Sequence, residues 1–142
     1  MGRILAIDYG TKRVGLAVTD ENRLIAGPLD TIPAHLVLAF LQKYVSKEPV
    51  DVFVVGKPLQ MSGEASQSMV HVEAFVRSLR KQFPFIPVEW VDERFTSKMA
   101  SRAIAESGLK KKDRQDKSLI DKISAVIILQ SFMEILSNKM NL

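Results

Sequence analysis

Acidic side chains occupy three positions that an ordinary solvated surface charge does not explain. Asp8 ends the apolar run ILAID, and the pair Asp92-Glu93 ends a second apolar run. Asp121 lies in the first turn of a third apolar segment. Carboxylates gathered in one partly buried place repel one another, so such a cluster requires a compensating cation. A ligand set made only of oxygen favours a hard divalent ion, Mg²⁺ or Mn²⁺.

The elements that would position these acids alternate between strand and helix. Apolar, β-branched runs predict strands over residues 3–7, 14–19, 24–26, 50–55 and 88–91. Apolar residues at helical spacing predict helices over residues 36–45, 65–79, 97–107 and 119–136, the last of them apolar on nearly every side. This order predicts an α/β domain. Its mixed sheet has about five strands, three antiparallel and then parallel, with helices on both faces.

The same arrangement predicts that the three acidic segments converge. Carboxyl ends of strands in an α/β sheet open onto the usual ligand crevice, and the first turn of a helix packed on the sheet can reach it. We therefore expect Asp8, the pair Asp92-Glu93 and Asp121 to lie together. Side chains alternate along a strand, so Asp92 and Glu93 point to opposite faces and one of them faces the site.

The composition fits one folded domain over residues 1–142. Hydrophobic residues make up 46% of the chain and charged residues 25%, which argues against disorder. Cysteine is absent, which excludes disulfides, thiolate zinc sites and cysteine nucleophiles. The sequence shows neither a signal peptide nor an apolar run of membrane-spanning length, so we expect a cytoplasmic protein without membrane association. The net charge of +4 favours polyanionic partners weakly.

Four segments, in order and at compatible spacing, resemble one protein family. They are ILAIDYGTKRVGLAVTD, VVGKPLQMSGEAS, VDERFTS and LIDKISAVIILQSF. The chain resembles the YqgF family of pre-16S ribosomal RNA nucleases and Holliday-junction-resolvase-like proteins. This resemblance implies the ribonuclease-H-like fold and a metal-dependent nuclease whose catalytic and metal-binding acids are Asp8, Glu93 and Asp121. The chain departs from the family pattern at Lys57, where that pattern leads us to expect an apolar residue.

Basic residues lie close to each of these acids. A run of lysines and arginine precedes Asp121, and further cations follow Asp8 and Glu93. A phosphate backbone held there would lie beside the predicted metal site. We expect nucleic acid to be bound by Lys12, Arg13, Arg94, Lys110, Lys111, Lys112 and Arg114. A charge run of this kind is also typical of a solvated loop, which remains the alternative.

Several of the singled-out residues have a simpler interpretation. Asp8 stands before a glycine-containing turn and could bond the backbone of that turn. The segment SLID is a capping box, in which Ser118 caps the helix and Asp121 bonds back to the cap. His35 and His71 lie on helical patterns far from the acidic segments, and we interpret both as structural or surface residues.

The leading functional hypothesis is a nuclease that acts in 5′-end processing of precursor 16S ribosomal RNA, and resolution of branched DNA is the alternative. The IDxGT segment also resembles the phosphate-binding turn of actin-like and sugar-kinase ATPases, but those need two such lobes and this chain has no second DxG turn. An inactive RNA-binding module is a further alternative, weakened by the small number of aromatic residues. No feature demands a symmetric dimer, so we expect a monomer or a weak homodimer.

Overall fold

One five-stranded sheet organises the chain. The computed structural model describes residues 2–58, 67–92 and 117–140. Its strands are β1 (Arg3–Tyr9), β2 (Arg13–Thr19), β3 (Ala26–Pro33), β4 (Val50–Lys57) and β5 (Val88–Asp92). Its helices are α1 (Val37–Lys47), which follows a short 3-10 turn at Ala34–Leu36, then α2 (Met69–Gln82) and α3 (Lys117–Met140).

The sheet is mixed, with the strand order β3-β2-β1-β4-β5. β2 pairs antiparallel with β1 and β3, whereas β4 pairs parallel with β1 and β5. The predicted antiparallel start and parallel continuation are therefore confirmed. The strands β1, β4 and β5 finish at one end of the sheet, where β2 starts and β3 finishes. We call it the carboxyl end, and it comprises Tyr9, Arg13, Pro33, Lys57 and Asp92.

The third strand lies later in the chain than the sequence predicts. A strand is expected over residues 24–26, but Leu24 and Ile25 precede β3 with exposed fractions of 75% and 71%. Two prolines within β3 concealed it, because proline cannot donate to a strand ladder. β3 is an edge strand, paired only with β2, and an edge tolerates proline.

Helices cover both faces of the sheet, as expected. On one face, α1 and α2 pack against β1 and β4 through residues such as Leu5, Ile7 and Phe53. On the other face, α3 packs against Ile4 and Ala6, among others. We call these the α1/α2 face and the α3 face.

The helix α3 confirms the predicted C-terminal apolar helix and extends it at both ends. Its buried residues are Ser124, Ala125, Ile127, Ile128 and Leu129. None of the described helices is both long and apolar enough to span a membrane. The helix predicted over residues 97–107 lies outside the described residues, as does residue 65, where the prediction begins α2.

Candidate active site

The strand β1 delivers Asp8 to the α3 face at the carboxyl end of the sheet. Side chains alternate along a strand, and Ile4 and Ala6 both pack with α3. Asp8 follows Ala6 by two residues and is partly buried. Tyr9, the next residue, packs on the α1/α2 face. Asp8 is therefore a strand residue that faces the side of the sheet covered by α3.

A close approach between α3 and β2 brings Asp121 to the same place. Gly15 of β2 is the direct cross-strand partner of Asp8. A Cβ atom at Gly15 would collide with the backbone carbonyl oxygen of Asp121, so α3 rests directly on this glycine. Opposed residues in antiparallel strands have Cα atoms about 4.5–5.5 Å apart. Asp8 and the backbone of Asp121 are thus neighbours across one glycine.

The charged residues alone do not point to Gly15, although the sequence contains an indication of its role. Glycine within a strand weakens that strand and often marks a place where another backbone approaches closely. Gly15 stands in the middle of RVGLAVT, between residues that are otherwise apolar and buried. A prediction based only on charged residues therefore misses Gly15.

Asp121 forms an ion pair with Arg13. Nε of Arg13 donates to Oδ2 of Asp121 at 2.9 Å, and the exposed fractions of the two side chains are 41% and 24%. Arg13 precedes Gly15 by two residues and so shares its face of the sheet. A pair this exposed contributes little to stability. Its main effect is to place a positive charge against one of the predicted metal ligands.

The structure contradicts the capping-box interpretation of Asp121, and the turn interpretation of Asp8 stays an alternative. Asp8 lies within the ladder of β1 and β2, directly before that turn. The helix α3 begins at Lys117, which puts Ser118 inside the helix and not before it. The carboxylate of Asp121 reaches a partner 108 residues away in the sequence instead of bonding only to its own helix.

The end of β5 places Asp92, the first acid of the DER segment, on one face of the sheet. Val91 packs with α3, whereas Trp90 packs on the α1/α2 face. Alternation therefore assigns Asp92 to the α1/α2 face, where it stands in register with Lys57. The remaining predicted residues of the site lie outside the described residues: Glu93, Arg94, Lys110, Lys111, Lys112 and Arg114.

Lys12 lies in the turn between β1 and β2. Its side chain is exposed, and its carbonyl oxygen accepts a hydrogen bond from the backbone N–H of Ala34 at 3.0 Å. Within the described part of the chain, the ammonium group of Lys12 forms no ion pair. The turn thus holds a solvated cation at the carboxyl end of the sheet.

The described acids include two of the three metal ligands that the sequence predicts. Across residues 2–58, 67–92 and 117–140, no group of three or more His, Cys, Asp or Glu residues could hold a metal ion. Asp8 and Asp121 supply two carboxylates, and both histidines line a groove on the α1/α2 face. An oxygen-only donor set fits Mg²⁺ or Mn²⁺ better than zinc. The third acid that the sequence predicts, Glu93, belongs to the undescribed segment.

Comparisons with known proteins identify relatives over nearly the whole chain. A Bacteroides thetaiotaomicron protein, provisionally named as a pre-16S rRNA nuclease, is 58% identical over 134 residues, covering 94% of this chain and 97% of that protein. A Porphyromonas gingivalis protein of the same name is 56% identical over the same shares.

A solved structure and a family-wide sequence model agree with these relatives. T. thermophilus RuvC in complex with a Holliday junction substrate aligns with a TM-score of 0.55 at 15% identity, covering 96% of both chains, which confirms the ribonuclease-H-like fold. The sequence model described as "RuvX: Holliday junction resolvase" matches residues 2–135. With the relatives above, this match shows that the chain belongs to the RuvX/YqgF family.

Proposed function

We propose that this chain is a divalent-metal-dependent nuclease that hydrolyses phosphodiester bonds in structured nucleic acid, with precursor 16S ribosomal RNA as its substrate. One observation carries the proposal: the backbone of Asp121 rests on Gly15, which is the cross-strand partner of Asp8. That contact gathers two acid-bearing segments at the carboxyl end of the sheet. Membership of the family and the names of its members support the reaction class and the substrate.

We assign the catalytic and metal-binding roles to Asp8, Glu93 and Asp121. Bound there, Mg²⁺ or Mn²⁺ supplies Lewis-acid activation of water and charge stabilisation at the phosphodiester. Asp8 presents its carboxylate from a paired strand, which fixes its position. The contact with Gly15 fixes the turn that carries Asp121. The assignment of Asp92 to the opposite face supports Glu93 as the acid that completes the set.

The nucleic acid is proposed to be bound by basic residues that are close to these acids in the sequence: Lys12, Arg13, Arg94, Lys110, Lys111, Lys112 and Arg114. Changing Lys110, Lys111 and Lys112 together to Ser is expected to lower the slope of log affinity against log salt by about two to three units on a duplex, since each phosphate contact contributes roughly 0.9. Fluorescence anisotropy over a series of salt concentrations measures that slope.

A matched control removes the same charge elsewhere. Lys43 and Lys47 of α1 and Lys81 of α2 lie on helices of the α1/α2 face, outside the proposed contact region. Their combined change to Ser is expected to leave the slope nearly unchanged. If the two triple variants had equal slopes of log affinity against log salt, the basic run before Asp121 would not contact nucleic acid and would be a solvated loop.

Resolution of branched DNA is the second candidate, because the matching sequence model is described as a Holliday junction resolvase. A two-fold junction calls for a symmetric dimer, whereas we propose a monomer or weak homodimer. A ribosomal RNA substrate would also place the protein in the cytoplasm.

One assay separates the two candidates. The purified protein is incubated with labelled precursor 16S RNA and with four-way junction DNA, each with Mg²⁺, with Mn²⁺ or with chelator. Metal-dependent cutting of the RNA near its 5′ end is the expected result. Symmetric cutting of the junction with intact RNA would favour the resolvase, and absence of both would contradict nuclease activity.

A further inference from the structure

A groove on the α1/α2 face opens at the same end of the sheet as the acids. Its volume is about 350 Å³, and its lining includes Tyr9, His35, His71, Phe75 and Ser78. Tyr9 directly follows Asp8, and His35 comes just after the end of β3. The groove and the acidic site therefore lie on opposite faces of one sheet end. Its volume falls in the range of small-ligand pockets, about 300–1,000 Å³.

The lining of the groove combines an aromatic surface with hydrogen-bond donors. The ring of Tyr9 stacks on Phe75 with centroids 4.5 Å apart and planes inclined by 24°. Phe75 is buried, so it anchors the tyrosine ring. The imidazoles of His35 and His71 and the hydroxyl of Ser78 can donate to a phosphate or a base. None of the described residues that line the groove is acidic, which favours an anionic ligand.

Lys57 carries a positive charge on the same face, where it stands in register with the acidic Asp92. Ile7 stands opposite Val55 in the parallel pair β1 and β4, so two residues further along Tyr9 stands opposite Lys57. Lys57 follows Val55 by two residues in β4, so it points to the same face of the sheet. Val55 packs on the α1/α2 face. Lys57 forms no ion pair with any described residue.

We propose that the groove binds one nucleotide of the substrate strand, adjacent to the segment that lies at Asp8 and Asp121. The inference rests on the proposed nuclease function and adds a subsite to it. Asp8 and Tyr9 are consecutive residues whose side chains lie on opposite faces of the sheet end, so a nucleic-acid strand that occupies both places crosses that end. The base packs against the tyrosine ring, and the imidazoles that line the groove contact the phosphate.

The two histidines allow binding in the groove to be followed by NMR. The chain contains 2 His residues, and both line the groove, so every imidazole NMR signal reports on it. The Asp8→Asn protein, which prevents cleavage, is titrated with a short single-stranded RNA and separately with adenosine monophosphate. Both imidazole signals are expected to shift with the RNA at the affinity that anisotropy measures. The mononucleotide is expected to need at least about tenfold higher concentration, because it lacks the neighbouring phosphate contacts.

Two outcomes would overturn the subsite. RNA that binds by anisotropy while both imidazole signals stay fixed would show that the strand avoids the groove. Equal affinity for RNA and mononucleotide would make the groove a site for free nucleotides. Neither outcome contradicts the nuclease proposal, which fails only if the unmodified protein shows no metal-dependent cleavage.

A pair of double variants provides the matched control. His35→Ala with His71→Ala removes both imidazole donors of the groove, and the expected loss of RNA affinity is about tenfold. Gln42→Ala with Gln82→Ala removes neutral, exposed polar groups in the middle of α1 and at the C-terminal end of α2, where Nε2 of Gln82 donates to Oε1 of Gln42 at 3.4 Å. This control is expected to stay within about twofold of the parent. Equal losses in both double variants would overturn the subsite.

Discussion

The two ends of β1 both carry charged residues but use them differently. At the amino end, Asp51 interrupts the apolar run of β4, much as Asp8 ends that of β1. Oδ2 of Asp51 accepts the backbone N–H of Gly2 at 2.8 Å and pairs with Nη2 of Arg23 at 2.6 Å. At the carboxyl end, Asp8 instead stands opposite a glycine against which the turn of a second acid is packed.

Salt bridges assemble the amino end. Arg3 donates from Nη1 to the carbonyl oxygen of Thr19 at 2.9 Å and pairs with Glu48 at 3.4 Å and Glu21 at 3.7 Å. Arg23, with a φ of 58°, also donates from Nε to the carbonyl oxygen of Gly2 at 3.0 Å. These contacts tie the start of β1 to the neighbouring turn and to the segment that leads into β4.

A backbone contact assembles the carboxyl end, and that contact does not depend on charge. Asp121 would remain against Gly15 if its carboxylate were neutral, because its carbonyl oxygen makes the approach. The difference teaches how to separate the two kinds of acid. Neutralising an acid at the amino end should cost stability, and neutralising one at the carboxyl end should cost function.

The largest expected effect is the loss of activity in Asp8→Asn. Asn keeps the size of the side chain but removes the charge proposed to hold the ion, so cleavage should fall by at least about 10²-fold, corresponding to about 2.7 kcal/mol of lost transition-state stabilisation. Manganese affinity, measured by calorimetry, should collapse. Melting in chelator should stay level or rise, because one of the repelling carboxylates is gone. Retained manganese affinity would contradict the metal-binding role of Asp8.

Asp51→Ala tests the acid at the amino end of β1. It removes the hydrogen bond from Gly2 and the ion pair with Arg23, both partly exposed, so unfolding in urea should show a loss of about 0.5–1 kcal/mol. Cleavage at a temperature where both proteins are folded should be unchanged. A large loss of activity here would erase the distinction between the two ends.

Gly15→Ala should damage both stability and activity. The added Cβ meets the carbonyl oxygen of Asp121, which is backbone and cannot rotate away, so α3 must shift at a cost of about 1–3 kcal/mol. Gly27→Ala is the control, because nothing lies within 4 Å of a Cβ at that position. Chemical denaturation and cleavage rates measure both effects. Equal behaviour of the two alanine variants would show that the close approach is unimportant.

A smaller effect is expected for Arg13→Gln. The guanidinium competes with a divalent ion for the carboxylate of Asp121, and a unit charge near 4 Å is worth on the order of 1 kcal/mol even in water. Manganese affinity should therefore rise by about fivefold in metal-free protein titrated by calorimetry. Lys12→Gln removes a neighbouring charge that has no described ion-pair partner and should change the affinity less. Weaker manganese binding in Arg13→Gln would instead show that Arg13 orients Asp121.

The smallest effect concerns Asp20 in the turn after β2. The backbone N–H of Ile25, followed by those of Leu24 and Asn22, holds the pKa of Asp20 below its ordinary value of 3.8. A lowered pKa in the folded state gives stability that is present above pH 3.8 and is lost as the pH falls through the folded value. The stability difference between the parent and Asp20→Ala should shrink below that pH in urea titrations. A difference independent of pH would contradict the role of the carboxylate.

Most of the fold could be predicted because its elements bury continuous apolar runs. The segments that form β1, β4 and α3 are hydrophobic enough to be predicted from their own sequences, without knowledge of the elements they pack against. The strand β3 could not be located correctly, since its two prolines and exposed residues become a strand only through pairing with β2.

The site was less accessible to sequence reasoning because its contacts are long-range. The pairing of Arg13 with Asp121 spans 108 residues, and no local pattern encodes it. The sequence predicts that Asp92 and Glu93 point to opposite faces but cannot say which face belongs to α3, because both faces are apolar. The packing of Val91 with α3 supplies that information for the end of β5.

The contact between Gly15 and Asp121 also sets when the site can exist during synthesis of the chain. A chain is made from its N-terminus at about 5–20 residues per second, and contacts distant in sequence form last. Asp8, Arg13 and Gly15 are made early, but their partner on α3 comes after residue 116. A nascent chain thus carries one half of the pair and gains the other only when the last helix docks.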